Sequence, residues 1–184
     1  MSILQIVLAV LLAILIPLVS WRSLRNPQSH GFYRFFGFVA TGTIIILNLP
    51  YWLEYDFSIR GATAELFLGI SLWFVSWGVW GLRQYGGWTE REESPETLGF
   101  EDTARLVTRG LFRHIRHPMY SSLLLLSWGS CLKRVTFNTV ALGLIATVAY
   151  IITAKIEERE NLAFFGEQYR DYMGKSRMFI PWII

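Results

Sequence analysis

Read as a pattern of apolar and polar positions, the chain contains five stretches without a single charged residue: Ile3 to Val19, Phe35 to Leu53, Leu66 to Leu82, Pro118 to Leu132 and Val135 to Ala154. Their lengths are 17, 19, 17, 15 and 20 residues. A helix rises about 1.5 Å per residue and needs roughly 20 residues, at least about 17, to cross the hydrocarbon core of a bilayer. Four stretches reach that length, so the pattern predicts an all-α integral membrane protein with about five transmembrane helices. The fourth stretch is short; it either tilts little, reaches the interface through its flanking groups, or enters without crossing fully. Only Lys133 and Arg134 separate it from the fifth, which makes the last two a helical hairpin. The first stretch reads as a retained helix, because no basic leader precedes it and no small-x-small cleavage site follows it. With no internal repeat, residues 1–184 form one membrane domain: three helices over 1–82, then helices four and five and a polar tail over 83–184.

Composition supports this reading. The chain is 53% hydrophobic and 17% charged, where a soluble domain carries about a quarter charged residues. Eight Trp, eight Tyr and thirteen Phe suit a protein with two membrane–water interfaces. A net charge of +3 on so apolar a chain leaves no large basic face, which argues against nucleic acid as a partner. The single cysteine, Cys131, permits neither an internal disulfide nor a cysteine-based metal cluster.

Charge position says more than charge number. If the five stretches cross in alternation, one side receives 14 of the 17 Lys and Arg residues, and the other only Arg60, Lys133 and Arg134. The positive-inside rule then places the 83–116 loop and the carboxyl tail in the cytoplasm. Two polar blocks lie on that side: Arg105 to Tyr120 before the fourth stretch, and Lys155 to Arg177 after the fifth. His117 is expected to cap the fourth helix, with Pro118 in its first turn. Basic residues at that amino terminus oppose the helix dipole, as do Glu157, Glu158 and Glu160 if they follow the end of the fifth helix. The two blocks therefore either pair as interfacial salt bridges and headgroup contacts, or jointly hold a ligand bearing both charges. His30 reads as a plain loop residue. His114 and His117 lack a third ligand of suitable spacing, so no metal site is expected. Trp73, Trp77 and Trp80 recur at helical spacing and read as packing or interface anchors. No nucleotide fingerprint, phosphate loop or nucleophile elbow is present.

The run Gly110-Leu-Phe-Arg-His-Ile-Arg-His-Pro-Met-Tyr120, then Glu157-Glu158, then Phe165-Gly-Glu-Gln-Tyr-Arg-Asp-Tyr172 and a late Ile180-Pro181, resembles the isoprenylcysteine carboxyl methyltransferase family. The wider group includes phospholipid methyltransferases and bacterial thiol S-methyltransferases. The likeness covers roughly residues 104 to 182. It implies a multi-pass enzyme in the plasma (inner) membrane of a prokaryote, binding S-adenosylmethionine from the cytoplasm and methylating a small or lipophilic acceptor: an isoprenylcysteine-like carboxylate, a thiol or a lipid.

Carried over by position, the resemblance implies a cofactor site of Ala104, Arg105, Leu106, Val107, Phe112, His117, Pro118, Met119, Tyr120 and Glu157. Phe112 replaces a common tyrosine, and Ala104-Arg105 departs from a polar pair. Thr153 stands where the carboxyl methyltransferases carry a substrate-binding arginine, which counts against a prenylcysteine carboxylate; Thr153 and Glu158 are the expected substrate-side residues. The donor set suits the cofactor independently. Glu157 can take the ammonium, helix-terminal amides the carboxylate, and the Tyr120 ring the sulfonium. A thiolate or carboxylate acceptor needs no base, whereas an amine does, with Glu158 or His114 in reach by sequence. Two other readings remain at this stage: a membrane reductase using NADPH, and a non-enzymatic lipid-binding protein.

Overall fold

The computed structural model describes residues 2–87 and 105–180, and over these the regular structure is helical, with short turns and loops between helices and one isolated bridge between Ile115 and Arg177. Six helices follow in order: α1 (Ile3–Val19), α2 (His30–Asn48), α3 (Ile59–Tyr85), α4 (Pro118–Lys133), α5 (Phe137–Phe165) and α6 (Glu167–Lys175). Short 3-10 turns lie at Ser23–Arg25, Leu49–Tyr51 and Gly110–Arg113.

Polar caps set several of these boundaries. The Ser29 hydroxyl accepts from the Phe32 amide and starts α2 well before the apolar stretch begins. Ser58 does the same for α3 through the Gly61 amide, and Thr136 and Thr139 form a reciprocal capping box on α5. α5 does not end where its apolar stretch ends. It runs past Ala154 to Phe165, so Glu157, Glu158 and Glu160 lie inside the helix and the expected conflict with its carboxyl-terminal dipole does not arise. At 29 residues α5 is about 43 Å long, which exceeds a hydrocarbon core of about 30 Å by more than two turns. Gly166 stops it at φ +59°, ψ −134°, a conformation that side chains disfavour, and α6 begins at once.

Neighbouring helices alternate in direction. Gln5 of α1 donates to the Ile46 carbonyl of α2, 2.8 Å away at one end of the bundle. α2 runs antiparallel to α5, since His30 meets Glu160 while Thr41 meets Tyr150. α3 runs antiparallel to α4: Ser71 donates to the Ser122 carbonyl, and Gly78 faces Pro118 and Met119. The closest packing is α3 on α4 and α2 on α5; the α4–α5 hairpin pair shares a smaller face. Three helical segments, 30–51, 59–85 and 137–165, are long and apolar enough to cross a membrane, whereas α1 and α4 are shorter, at 17 and 16 residues. Trp73, Trp77 and Trp80 form an outward ladder with ring centroids 5.9 and 5.6 Å apart, each about half exposed, as expected of interface anchors.

Small residues and a polar knot hold the middle. A Cβ at Gly37 would overlap the Tyr150 ring, so α2 and α5 approach closely only because that position is glycine. The buried Thr41 hydroxyl lies 2.7 Å from Ser127 Oγ and 2.9 Å from Tyr150 OH, linking α2, α4 and α5. Asn48 Nδ2 donates to the Ser130 and Arg134 carbonyls at 2.7 and 3.0 Å, fastening α2 to the end of α4. A buried hydroxyl without its partner costs about 1–3 kcal/mol, and truncating a buried aromatic ring about 3–5 kcal/mol. Tyr150→Phe is therefore expected to lower the thermal midpoint in detergent micelles modestly, and Tyr150→Ala to lower it much further.

Candidate functional site

The two polar blocks meet. Residues 114–117, just before α4, run beside the strand-like stretch after α6: Arg177 N donates to His114 O at 2.9 Å, Arg116 N to Arg177 O at 2.7 Å and His117 N to Met178 O at 3.1 Å. Ser121 Oγ adds a bond to Phe179 O at 2.8 Å, and the Phe179 ring is buried in the core beside Tyr120. Gly110, at φ +61°, opens the turn that brings Phe112 inward against α3. A Cβ at Gly81 or Gly78 would stand 3.3 Å from Phe112 or Met119, so α3 offers this region a smooth flank.

Arg116 supplies the main ionic link between the blocks. Its Nε donates to Glu158 Oε1 at 2.6 Å, and its Nη1 to Ser176 O and Met173 O at 2.5 and 3.2 Å. With both side chains about nine-tenths buried, this pair is structural in character. The rest of the basic block does not converge: Arg105, Arg109, Arg113 and His114 are exposed, and Arg109 lies over the Tyr85 ring.

Beside this link opens a pocket with about 830 Å³ of space between its walls, counting its open mouth. Leu106, Val107, Phe112, His117, Pro118, Met119, Tyr120 and Glu157 all line it. These are eight of the ten residues expected for the cofactor. Arg105 is described but does not line the pocket; its amide donates to Gly86 O. Ala104 lies outside the described residues. Neither substrate-side expectation reaches the wall. Thr153 is fully buried with its hydroxyl on Ala149 O at 2.8 Å, and Glu158 turns to Arg116. His114, the other base suggested by sequence, is exposed and away from the pocket.

Several lining groups were not singled out by sequence. Asn161, Phe165, Tyr169 and Tyr172 close the α5–α6 side. The last three sit within the quoted motif, so their types were visible but not their destination. Burial pushes the Tyr169 and Tyr172 phenols well above the ordinary tyrosine value, with the Glu157 charge adding to the effect at Tyr169, so both remain protonated donors. Tyr172 OH donates to Phe112 O at 2.5 Å and holds that ring in the wall. His30 is a correction. It is buried at the start of α2 rather than a loop residue, and its Nδ1 lies 2.6 Å from Glu160 Oε2, 130 residues away in the chain.

At the centre, Tyr120 OH donates to Glu157 Oε2 at 2.6 Å, and the Tyr120 ring stacks on His117 with centroids 5.6 Å apart. The His117 ring is 4% exposed. Its Nδ1 is 3.8 Å from Glu157 Oε1 and its Nε2 is 3.5 Å from Glu158 Oε1, within ion-pair reach, yet among the described residues Nε2 has no hydrogen-bond partner. A buried, unbonded ring nitrogen in the wall of a pocket fits a site built for a polar ligand. The donor set fits S-adenosylmethionine in particular: a carboxylate for an ammonium, first-turn amides of α4 without intrahelical acceptors for a carboxylate, and aromatic faces for the remainder. Among the described residues no group of three or more His, Cys, Asp and Glu side chains is placed to hold a metal.

Removing one partner of a buried ion pair costs about 3–5 kcal/mol, because the other charge stays behind unpaired. Arg116→Met should therefore lower the thermal unfolding midpoint strongly, and the double variant Arg116→Met, Glu158→Leu should recover much of that loss.

The model of the phospholipid methyltransferase family matches residues 59–171. The chain is 30% identical over 130 residues to a methanethiol S-methyltransferase of Mycobacterium tuberculosis, covering 61% of this chain and 49% of that protein. It is 31% identical over 71 residues to the methanethiol S-methyltransferase of Pseudomonas deceptionensis, 39% of this chain and 26% of that one. The chain thus spans about half the length of the first of these relatives and about a quarter of the second. A probable protein-S-isoprenylcysteine O-methyltransferase of Oryza sativa is 28% identical over 158 residues, 78% of this chain and 82% of that protein. No solved structure matches. With the family match spanning more than half of its residues, and with the Arg-His-Pro-x-Tyr run and Glu157 gathered at one pocket, the chain belongs to the phospholipid methyltransferase family.

Proposed function

We propose that this protein is an integral-membrane methyltransferase that uses S-adenosylmethionine and methylates a small thiol. The observation that carries the reading is the convergence of Glu157, Tyr120 and His117 in one half-closed pocket at the end of the bundle. In this reading five helices cross the membrane and the pocket faces the cytoplasm of a prokaryotic cell, with membrane lipids around α1 and the Trp ladder. The exposed apolar face of α1 supports the membrane setting, and the sequence count that assigns 14 of 17 basic residues to one side under alternate crossing supports that orientation.

When bound, S-adenosylmethionine supplies a methyl group activated by its sulfonium. Glu157, already fixed by the Tyr120 hydroxyl, would hold the ammonium, and the amino-terminal turn of α4 would face the carboxylate. Leu106, Val107 and Phe112 wall the nucleoside. His117 donates its unbonded Nε2–H or accepts there, depending on which tautomer the ligand selects. Catalysis then rests on placing the acceptor atom about 3–3.5 Å from the methyl carbon and on excluding water.

The choice of a thiol follows from charge. The pocket presents Glu157 and Glu160, and Arg116, the cation in its wall, is tied up by Glu158 and two carbonyls. Among the described residues a carboxylate acceptor finds no free arginine or lysine in the wall, and Thr153, where the family resemblance leads one to expect an arginine, supplies none. The names of the methanethiol S-methyltransferase relatives agree with this choice.

Calorimetry on the purified protein should register binding of S-adenosylhomocysteine and none of NADPH; the reverse result would overturn the methyltransferase reading. Loss of a hydrogen bond to a charged group costs about 1.5–3 kcal/mol, roughly tenfold or more in affinity, so Glu157→Gln and His117→Ala should each weaken S-adenosylhomocysteine by about that factor while remaining folded. In a labelled-methyl screen, a small alkyl thiol should be the acceptor. Transfer only to prenylcysteine or phospholipid would refute the thiol assignment.

A further inference from the structure

His30 and Glu160 face the pocket without a part in holding the cofactor as described above. Both line it, and they come from different helices. Glu160 grips His30 twice: Oε2 lies 2.6 Å from the ring Nδ1, and Oε1 accepts from the His30 backbone amide at 3.3 Å. A carboxylate is an acceptor, so Nδ1 carries the hydrogen in that bond, and in the neutral ring Nε2 is left with its lone pair. The ring is held in one tautomer and one orientation, with the side chain 3% exposed. Among the described residues no hydrogen bond occupies the second nitrogen, Nε2. An imidazole oriented by a carboxylate and open at Nε2 is the arrangement by which proteins build a proton acceptor.

The charged groups around it are consistent with that role. From α5 come Glu160 and Glu157, and from its own helix Arg34, one turn on. From the cap of α4, His117 shares the pocket, as do Tyr169 and Tyr172 of α6, both protonated. From the 3-10 turn before α2, Arg25 lies over the Trp21 ring. The nearby carboxylates favour the imidazolium that forms when the ring takes a proton.

The geometry points to His30 as the general base of methyl transfer, with Glu160 as its positioning residue and a thiol in its neutral S–H form as the acceptor. This rests on the thiol methyltransferase reading and deepens it. An alkyl thiol has a pKa near that of cysteine, about 8.5, and is mostly un-ionised at neutral pH. In the step assigned here the S–H bond breaks and its proton passes to His30 Nε2. The sulfur electron pair forms the new S–CH3 bond, and the old bond between methyl and sulfonium breaks with its pair staying on the departing sulfur. That sulfur becomes a neutral thioether, and the positive charge ends on the His30 ring beside Glu160.

The test compares two acceptors, an alkyl thiol and an aryl thiol acidic enough to be ionised at pH 7, in the full-length protein and in His30→Gln and Glu160→Gln. General-base catalysis contributes about 10²–10⁴-fold, so His30→Gln should lose that factor with the alkyl thiol and less than about tenfold with the pre-ionised aryl thiol. Binding of S-adenosylhomocysteine, read by calorimetry, should stay within about threefold of the parent, which also reports that the variant is folded. Glu160→Gln leaves the imidazolium without its partner, so the acidic limb of the pH–rate profile with the alkyl thiol should move to lower pH. Equal losses for both thiols, or an unmoved acidic limb in Glu160→Gln, would refute the dyad while leaving methyl transfer intact. Failure of the parent protein to methylate either thiol would overturn the thiol methyltransferase reading and the dyad with it.

Discussion

Arg116 is the point at which three separate parts of the chain are tied. Its guanidinium reaches Glu158 on α5 and the carbonyls of Met173 and Ser176 at the end of α6, while its own amide bonds the stretch that follows. A delocalised, permanently charged fork suits this task in a way that a lysine does not, because it satisfies several acceptors in fixed directions at once. The next residue, His117, caps α4 and enters the pocket wall. The residue before Glu158 is Glu157, which meets Tyr120. The structural pair and the ligand-facing pair thus alternate along the same two segments, and fixing the first sets the position of the second.

The pocket is consequently a product of the bundle's end rather than of a separate domain. α2 brings His30, α3 lines its rim with Leu82, α4 begins at it, and α5 passes through it. The glycines of α3 at 78 and 81 let α4 and the Phe112 ring come near, and Gly166 folds α6 back to close the remaining side. The acidic character of the interior follows from the same construction, since the cation in its wall is consumed in joining the parts.

Much of this was legible in the chain. The first apolar stretch, Ile3 to Val19, coincides with α1, and the Pro118 start of α4 was marked by proline itself. Apolarity, however, reports the surroundings of a helix and not its length. α5 continues through Lys155 to Phe165 because Glu, Lys and Arg are good helix formers, and so the glutamates were misplaced as a flank. In the site, eight of the ten residues expected around the cofactor line one pocket. Three expected residues at described positions lie off its wall, for two kinds of reason: Arg105 joins Gly86 through its backbone amide and is exposed, while the Thr153 hydroxyl and the Glu158 carboxylate are taken up by Ala149 and Arg116. His30 was invisible for a third reason. Its partner lies 130 residues away, and nothing local distinguishes a histidine at a helix start from one in a loop.

Tyr150 and Glu157 are seven residues apart on α5, which is close to two full turns, so they share a face. The ring of Tyr120 lies between them in effect, stacked 6.2 Å from Tyr150 and hydrogen-bonded to Glu157. The membrane-buried knot of Thr41, Ser127 and Tyr150 is therefore the footing of the pocket. Evolution of this protein toward a bilayer of another thickness cannot lengthen or shorten α5 between these two residues without turning the carboxylate off its partner by about 100° for each residue added or removed. Adjustment is confined to the outer half of the helix, before Tyr150. The fixed seven-residue interval separates the part of the protein that answers to the lipid from the part that answers to the ligand.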